Sequence, residues 1–367
     1  MRILIDIGHP AHVHLFKNFA WEMQKKGNEI FFTCREKEFE VYLLNHYGFD
    51  YKSFGKKYES TFGKFIGLIE FDIKEFIQGM KFKPDLFLSH GSMYAAHAAF
   101  LMGRPHVSLE DTFNFEQVKL YKPFTKTILT SDYKHPLISE KVISYSGYHE
   151  LAYLHPKYFK PDKNIFLELG IKKNTRFVIL RLISWRATHY KRQGEILLNN
   201  VLKTISKLQE HARVFISSEI KLMPELDKYR IHIEPYKIHD ALAYASLLFG
   251  ESSTMASECA MLGTPSIYID SKGTLLTKEL SSKYELVFNY SESILDLQKA
   301  IEKSIEILKT ENIKEKWQKR RNKMLSEKID VTAFMVWFIE NYPESFFIMK
   351  ENPDYQFKFK INNIIVN

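Results

Sequence analysis

Two stretches, SHGSMYAAHAAFLMGRPHVSLE from Ser89 to Glu110 and FGESSTMASECAMLGTPSIYID from Phe249 to Asp270, carry one pattern 160 residues apart. Ser92 matches Ser252, Ala96 matches Ala256, Gly103 matches Gly263 and Pro105 matches Pro265. Each copy reads as strand, small polar turn, short helix, glycine stop, proline, strand. A repeat at this distance predicts two similar α/β domains in tandem with a cleft between them, a common place for a ligand.

Working outward, MRILIDIG opens the chain with a continuous apolar run, the mark of a parallel strand buried on both faces. The loop Gly8-His9-Pro10-Ala11-His12 leads into a helix with Phe16, Phe19, Ala20 and Met23 at helical spacing. EIFFTC is the next strand, residues 36–45 a helix, and Phe62 to Met80 a longer amphipathic helix. After the first repeat copy, strands are expected near 126–130 and 141–145. The second half restarts near Lys163, with strands FVILRLIS, ARVFISS, RIHIEP and LLFG leading into the second copy. Alternating strands and helices predict parallel sheets with right-handed crossovers. The expected divisions are residues 1–150, residues 151–330, and a terminal piece, 331–367, whose helix near 333–341 returns to the first domain. The final segment ENPDYQFKFKINNIIVN reads as a strand pair or a tail.

At 367 residues, two domains are the better expectation. Apolar residues make up 45% and charged residues 26%, ordinary for a globular chain. Lys and Arg total 52 against 44 Asp and Glu, a net charge of +8 that suits nucleic acid, an anionic membrane or a phosphorylated substrate. The Lys and Arg are dispersed and no nucleic-acid-binding module is visible, so nucleic acid is not an expected partner. Cys34 and Cys259 lie in apolar elements, which argues against a disulfide framework and for a reducing, cytoplasmic setting. The start reads as a strand and not a signal peptide, and no run of about 18 uncharged apolar residues appears.

Ser252, Ser253 and Thr254 fall where a buried strand turns into a helix. Hydroxyl residues there cap the helix and leave first-turn N–H groups to meet a phosphate, although the same residues cap helices everywhere. Glu258 lies about one turn in, on the polar side of the line Met255, Cys259 and Leu262, where a carboxylate suits both hydroxyls of a ribose. Arg181 interrupts an apolar strand and calls for a partner, either a phosphate or a structural carboxylate. Ser184, Arg186 and His189 follow it. At the carboxyl end of the first strand, His9 and His12 face the expected cleft. His12 at a helix start suits a neutral imidazole able to take a proton from a hydroxyl. Glu110, Asp111 and Asn114 follow another strand end, placed to orient such a base or to bind a sugar, or simply to form a polar loop.

The histidines show no metal-binding spacing, and HExxH, paired cysteines and DxD are absent, so no metal is expected. Neither a GxGxxG nor a P-loop is present, and no cofactor is expected. With these residues in view, the chain resembles the GT-B superfamily over about residues 1–340. Ala11-His12-Val13, Pro84-Asp85 through Pro105, Ser108-Leu109-Glu110-Asp111, and Ser257-Glu258 with Gly263 and Pro265 resemble the peptidoglycan UDP-GlcNAc transferases. That resemblance implies a base at His12 and ribose binding at Glu258. His90-Gly91-Ser92 is similar to the His-Gly-Asp motif of the non-hydrolysing UDP-GlcNAc 2-epimerases, without its carboxylate, and Trp185-Arg186 to His189 loosely echoes their His-Arg motif. The opening GHPAHVHLFKN resembles an uncharacterised family grouped with these enzymes.

The expectation is therefore an α/β protein with two Rossmann-like, doubly wound domains in GT-B architecture facing a central cleft. Its expected function is a metal-independent, inverting glycosyltransferase of cell-surface polysaccharide synthesis. His12, Glu110 and Asp111 are the catalytic candidates. Arg181, Ser184, Ser252, Ser253, Thr254 and Glu258 would hold a nucleotide-sugar donor, UDP-linked by resemblance, and His9, Asn114 and His189 the sugar or acceptor. The acceptor would be a glycan or a lipid-linked molecule. The basic-aromatic run Val118 to Lys126 suits a peripheral contact at the inner face of a membrane. The alternatives are an enzyme like the 2-epimerases, or a hydrolase, acting on a nucleotide sugar alone, and an inactive GT-B module that binds glycan or nucleotide.

Overall fold

Twelve strands, all in parallel ladders, carry the fold in a computed structural model that describes residues 1–56, 58, 61–137, 139–183, 191–219 and 221–360. Two units result, one formed by Met1–Tyr158 with Glu327–Asn367 and the other by Phe159–Ser326.

The first unit holds β1 (Arg2–Ile7), β2 (Glu29–Glu36), β3 (Tyr51–Lys56), β4 (Leu86–His90), β5 (His106–Glu110), β6 (Thr127–Ser131) and β7 (Val142–Tyr145). Their order is β3-β2-β1-β4-β5-β6-β7. The chain moves outward one way from β1, then returns to its other side with β4, so the switch point lies between those two strands. Ile3, Leu4, Ile5 and Ile7 are fully buried because helices cover both faces of the sheet. On one face, Leu4 and Phe87 pack against Ala95, Ala98 and Ala99 of the helix Met93–Leu101, with Phe76 and Phe82 of the helix Thr61–Phe82. On the other face, the helix Pro10–Lys25 meets residues 151–154, where Asn18 Nδ2 donates to the Ala152 carbonyl at 2.7 Å. Thr332 Oγ1 of the helix Val331–Glu340 donates to the same carbonyl at 2.8 Å, and Phe334 and Phe338 of that helix are fully buried.

The second unit holds β8 (Phe177–Leu182), β9 (Arg213–Ser218), β10 (Leu247–Gly250), β11 (Ser266–Ile269) and β12 (Val287–Tyr290), ordered β12-β11-β10-β8-β9. Its switch point lies between β8 and β10. The two repeat copies occupy matching places. β4, the helix Met93–Leu101 and β5 answer to β10, the helix Ser253–Leu262 and β11. Ser92 Oγ accepts from Ala95 N–H at 3.3 Å and Ser252 Oγ from Met255 N–H at 3.2 Å, each the N-cap of its helix.

Two sequence expectations change. RIHIEP forms one isolated bridge, Arg230 with Ile216, and no strand, because Pro235 removes a donor and its polar residues stay outside the sheet. The segment after residue 351 contains a 3₁₀ helix, Pro353–Phe359, and no strand pair through residue 360; Tyr355 and Phe359 pack on Trp337, at 4.7 and 5.4 Å. Residues 361–367 lie outside the described residues.

One buried group makes the first unit acid-sensitive. His106 at the start of β5 is fully buried, with Nε2 2.9 Å from Ser89 Oγ and Nδ1 2.8 Å from Thr125 Oγ1. Burial, with a smaller push from His97, holds its pKa down to about 3, against 6.5 for a free imidazole. The unfolded chain therefore binds this proton first, and stability falls as pH drops from 6.5 through 3. At about 1.4 kcal/mol per pH unit, the loss is on the order of 5 kcal/mol. Denaturant midpoints followed across that range should show the slope, and a His106→Asn variant should lose this part of it.

Candidate functional site

In the first unit the histidines collect at the carboxyl ends of the strands, around the switch point. Pro10 starts the helix after β1, and His9 caps it, its Nδ1 accepting from Ala11 N–H at 3.2 Å. His12, in the first turn, accepts at Nδ1 from Gly8 N–H at 3.3 Å, which puts the proton of the neutral ring on Nε2. Its ring lies 4.5 Å from that of His90, the last residue of β4, and 6.0 Å from His9. Asp111, directly after β5, sits between two imidazoles. Its Oδ1 is 2.9 Å from His90 Nε2 and its Oδ2 is 3.3 Å from His149 Nδ1. Burial opposes a charge on His90, yet the Asp111 carboxylate overrides it and raises the pKa to about 9. Burial likewise opposes the Asp111 charge, but the two imidazoles hold its carboxyl well below the usual range.

Glu110 and Asn114 do not join this group. Glu110 is buried beneath the loop, where Oε1 accepts from Thr112 N–H at 2.8 Å and Phe113 N–H at 2.9 Å, and Oε2 accepts from the Tyr121 hydroxyl. Asn114 caps the helix Phe115–Tyr121 by accepting from Glu116 N–H at 3.1 Å. Both side chains shape the loop that carries Asp111.

Behind the histidines lies a buried ionic network with no counterpart in the sequence reading. Arg35 forks onto Asp6 at 2.7 and 2.8 Å and stacks 4.5 Å over the Tyr94 ring. Asp6 also accepts from Thr33 Oγ1 at 3.1 Å and from Ser92, the helix cap. Glu75, 3.1 Å from Thr33, has its carboxyl pushed well above the usual carboxylate range by burial and then by Asp6.

In the second unit, the strand-to-helix turn after β10 forms the other candidate. Gly250 at the end of β10 has φ +155°, and a Cβ there would lie 2.1 Å from the Arg181 carbonyl, so only glycine permits this approach. The next residue, Glu251, accepts from Ile183 N–H at 2.9 Å. Ser252 caps the helix, and Ser253 and Thr254 form its first turn with half-exposed side chains. Arg181 has met the structural partner weighed above: it pairs with Glu219 and donates to Ser217 Oγ at 3.0 Å. Glu258 does not face solvent, as a polar-side position predicts, but is 4% exposed with Oε1 3.0 Å from His239 Nε2. The reason is that residues 255–262 are buried all round, between the helices Ile238–Tyr244 and Leu275–Tyr284. Ser184, Arg186 and His189 lie outside the described residues.

His149, Asp6 and Arg35 were missed, and His90 was seen only through its motif. His149 belongs to no local motif. His90 carried a further signal, because it occupies the repeat position that is Gly250 in the second copy. Asp6 breaks an apolar strand just as Arg181 does.

A family model described as "Protein of unknown function (DUF354)" matches residues 1–341. A search of curated proteins finds no match. Among solved structures, the chain is similar to the UDP-GlcNAc 2-epimerase from Neisseria meningitidis bound to UDP-GlcNAc, with a TM-score of 0.65 and 15% identity over 96% of this chain and 99% of that one. The S. aureus MnaA–UDP co-structure gives 0.67 and 13% over 94% and 97%. Spinosyn rhamnosyltransferase complexed with thymidine diphosphate gives 0.59 and 12% over 93% and 100%. These likenesses establish the GT-B type of fold, with two parallel-sheet α/β units.

Proposed function

Because the chain belongs to this DUF354 family and carries a GT-B fold, we propose that it is a nucleotide-sugar enzyme of the glycosyltransferase kind. The observation that carries the reading is Glu258, a buried carboxylate one turn below a capped helix start at the switch point of the second sheet. The first-turn amides of Ser253 and Thr254 would receive the donor diphosphate, aided by the helix dipole. Glu258 would accept from the ribose hydroxyls, with His239 holding the carboxylate in place. Arg181, committed to Glu219, holds this turn through its backbone carbonyl, which accepts from Glu251 N–H at 3.2 Å. The UDP-bound and thymidine diphosphate-bound relatives support a nucleotide diphosphate as ligand.

In the first unit, His12 is the proposed base. Its basic nitrogen is Nδ1, so the long contact to Gly8 N–H gives way as the proton of an acceptor hydroxyl arrives. Asp111 acts at one remove by fixing the His90 ring against which His12 lies. A 2-epimerase-like reaction is the second reading, favoured by Asp111, an ionised carboxylate at a strand end of the first sheet. A thermal-shift screen with UDP, GDP, CDP, CMP, TDP and UDP-GlcNAc tests the donor site, and a response to none of them overturns it. The responding sugar nucleotide, incubated without acceptor, then separates the readings, since only an epimerase or hydrolase consumes it. His12→Ala should keep nucleotide binding and lose turnover; full activity in that variant sinks the base assignment.

A lipid-linked acceptor is supported by one face of the first unit. Ile69, Ile73, Ile77 and Met80 are exposed along one side of the helix Thr61–Phe82, and Phe100 and Leu101 are exposed at the end of its neighbour. Burial pushes the Lys141 pKa down, and Lys126 and Lys122 nearby push it down further. Apolar side chains beside cations suit an anionic bilayer surface. No helix among the described residues is long and apolar enough to cross a membrane. Cosedimentation with phosphatidylglycerol vesicles should fall about tenfold or more for each of Ile73→Glu and Ile77→Glu, in line with the loss of one buried isoleucine. Equal binding by both variants removes this face from the account.

A further inference from the structure

The group around Asp111 has a geometry that proton sharing alone does not explain. His149 Nδ1 lies 3.3 Å from Asp111 Oδ2, yet it lacks the alignment of a hydrogen bond, and His149 Nε2 is buried without a hydrogen-bond partner among the described residues. One ligand atom each from His90, Asp111 and His149 lies within 4.8 Å of the others. Donors about 2.1 Å from a tetrahedral ion lie about 3.4 Å from one another, so side-chain shifts of about an ångström close the set. We propose that His90, Asp111 and His149 bind one divalent transition-metal ion.

Two imidazoles and one carboxylate form a donor set that prefers zinc and its first-row neighbours to magnesium or calcium, which favour all-oxygen surroundings. The backbone holds the donors firmly. His90 ends β4, Asp111 follows β5, and His149 stands in a buried segment beside Tyr148 and Leu151. Tyr133 hydroxyl donates to the Asp111 carbonyl at 3.2 Å, and the Tyr145 ring stacks 6.2 Å from that of His149. The Asp111 side chain is 25% exposed, which gives an ion a way in, while His90 and His149 are 9% and 6% exposed. Three protein donors leave a coordination position open, the pattern of metal sites that engage a further ligand. These three donors would bind an ion whether or not the second unit takes a nucleotide sugar.

The test uses the full chain stripped with EDTA and titrated calorimetrically with Zn²⁺ and with Co²⁺. One ion per chain is expected, with visible Co²⁺ absorption that Zn²⁺ displaces. Asp111→Asn and His149→Gln should each weaken binding by at least about 100-fold, since even outer partners of such sites cost up to that much. His211→Gln, in the other unit, should bind as the parent does. Circular dichroism establishes that each variant is folded, and the Co²⁺ spectrum of the parent stands without them. Absence of one-equivalent uptake by the parent overturns the proposal. So does uptake that survives both Asp111→Asn and His149→Gln. Metal binding by a protein that ignores every nucleotide would overturn the donor-site reading and leave this one intact.

Discussion

Replacing Arg35 with Met should destabilise the first unit by about 3–5 kcal/mol, the cost of leaving a buried carboxylate without its partner. Asp6 is fully buried and Arg35 nearly so, which keeps the pair from bulk solvent. Thr33 and Ser92 would still donate to Asp6, but two neutral hydroxyls do not balance a full charge in a dry interior. Glu75 cannot relieve the site, since a second carboxyl beside Asp6 brings no positive charge. Pairing Arg35→Met with Asp6→Asn should cost much less than the sum of the two single changes, because the double variant buries no unpaired charge. Hydrogen exchange at β1 and β4 amides reads the effect in the unit concerned. A loss under 1 kcal/mol in Arg35→Met would mean that the bidentate pair does not carry this part of the fold.

The same residue shows what a sequence can and cannot disclose. Asp6 in RILIDI and Arg181 in FVILRL each interrupt a buried strand near its carboxyl end, and each is ion-paired, with Arg35 and with Glu219. An interrupting charge is legible as a demand for a partner, but the partner comes from a neighbouring strand and has no signature of its own. The repeat was legible because its meaning is local: cap, helix and glycine stop lie within 22 residues and recur intact. Central strands were legible as apolar runs, whereas β3 and β12 were not noticed. Both are edge strands, half-exposed, and their sequences YKSFGK and VFNY mix polar with apolar residues. For the candidate sites, the places of His9, His12 and Asp111 beside strand ends, and of Glu258 one turn into a helix, could be read directly. The burial of Glu258 could not, since it follows from helices packed around residues 255–262. Nor could the gathering of His90, Asp111 and His149, which come from two strand ends and the segment after β7 and which only the sheet order places together.

Replacing Glu258 with Gln should weaken binding of the responding nucleotide by on the order of 100-fold. A carboxylate accepting from two vicinal hydroxyls makes two charge-assisted hydrogen bonds, each about 1.5–3 kcal/mol, and the amide keeps only one acceptor. The substitution preserves volume, and its carbonyl can still accept from His239, so the fold should persist with a melting temperature near that of the parent. The deoxyribose analogue discriminates further. It lacks one of the two hydroxyls, so the parent should bind it more weakly than the ribonucleotide, whereas the Gln variant should discriminate far less. Isothermal titration with both nucleotides forms the cycle. If Glu258→Gln binds as the parent does and the protein remains folded, the carboxylate serves the buried pair with His239 alone. A loss of binding accompanied by a large fall in melting temperature would point instead to collapse of the helix Ser253–Leu262. Preference for the ribose form, present in the parent and erased in a folded variant, is the result that a purely structural Glu258 could not produce.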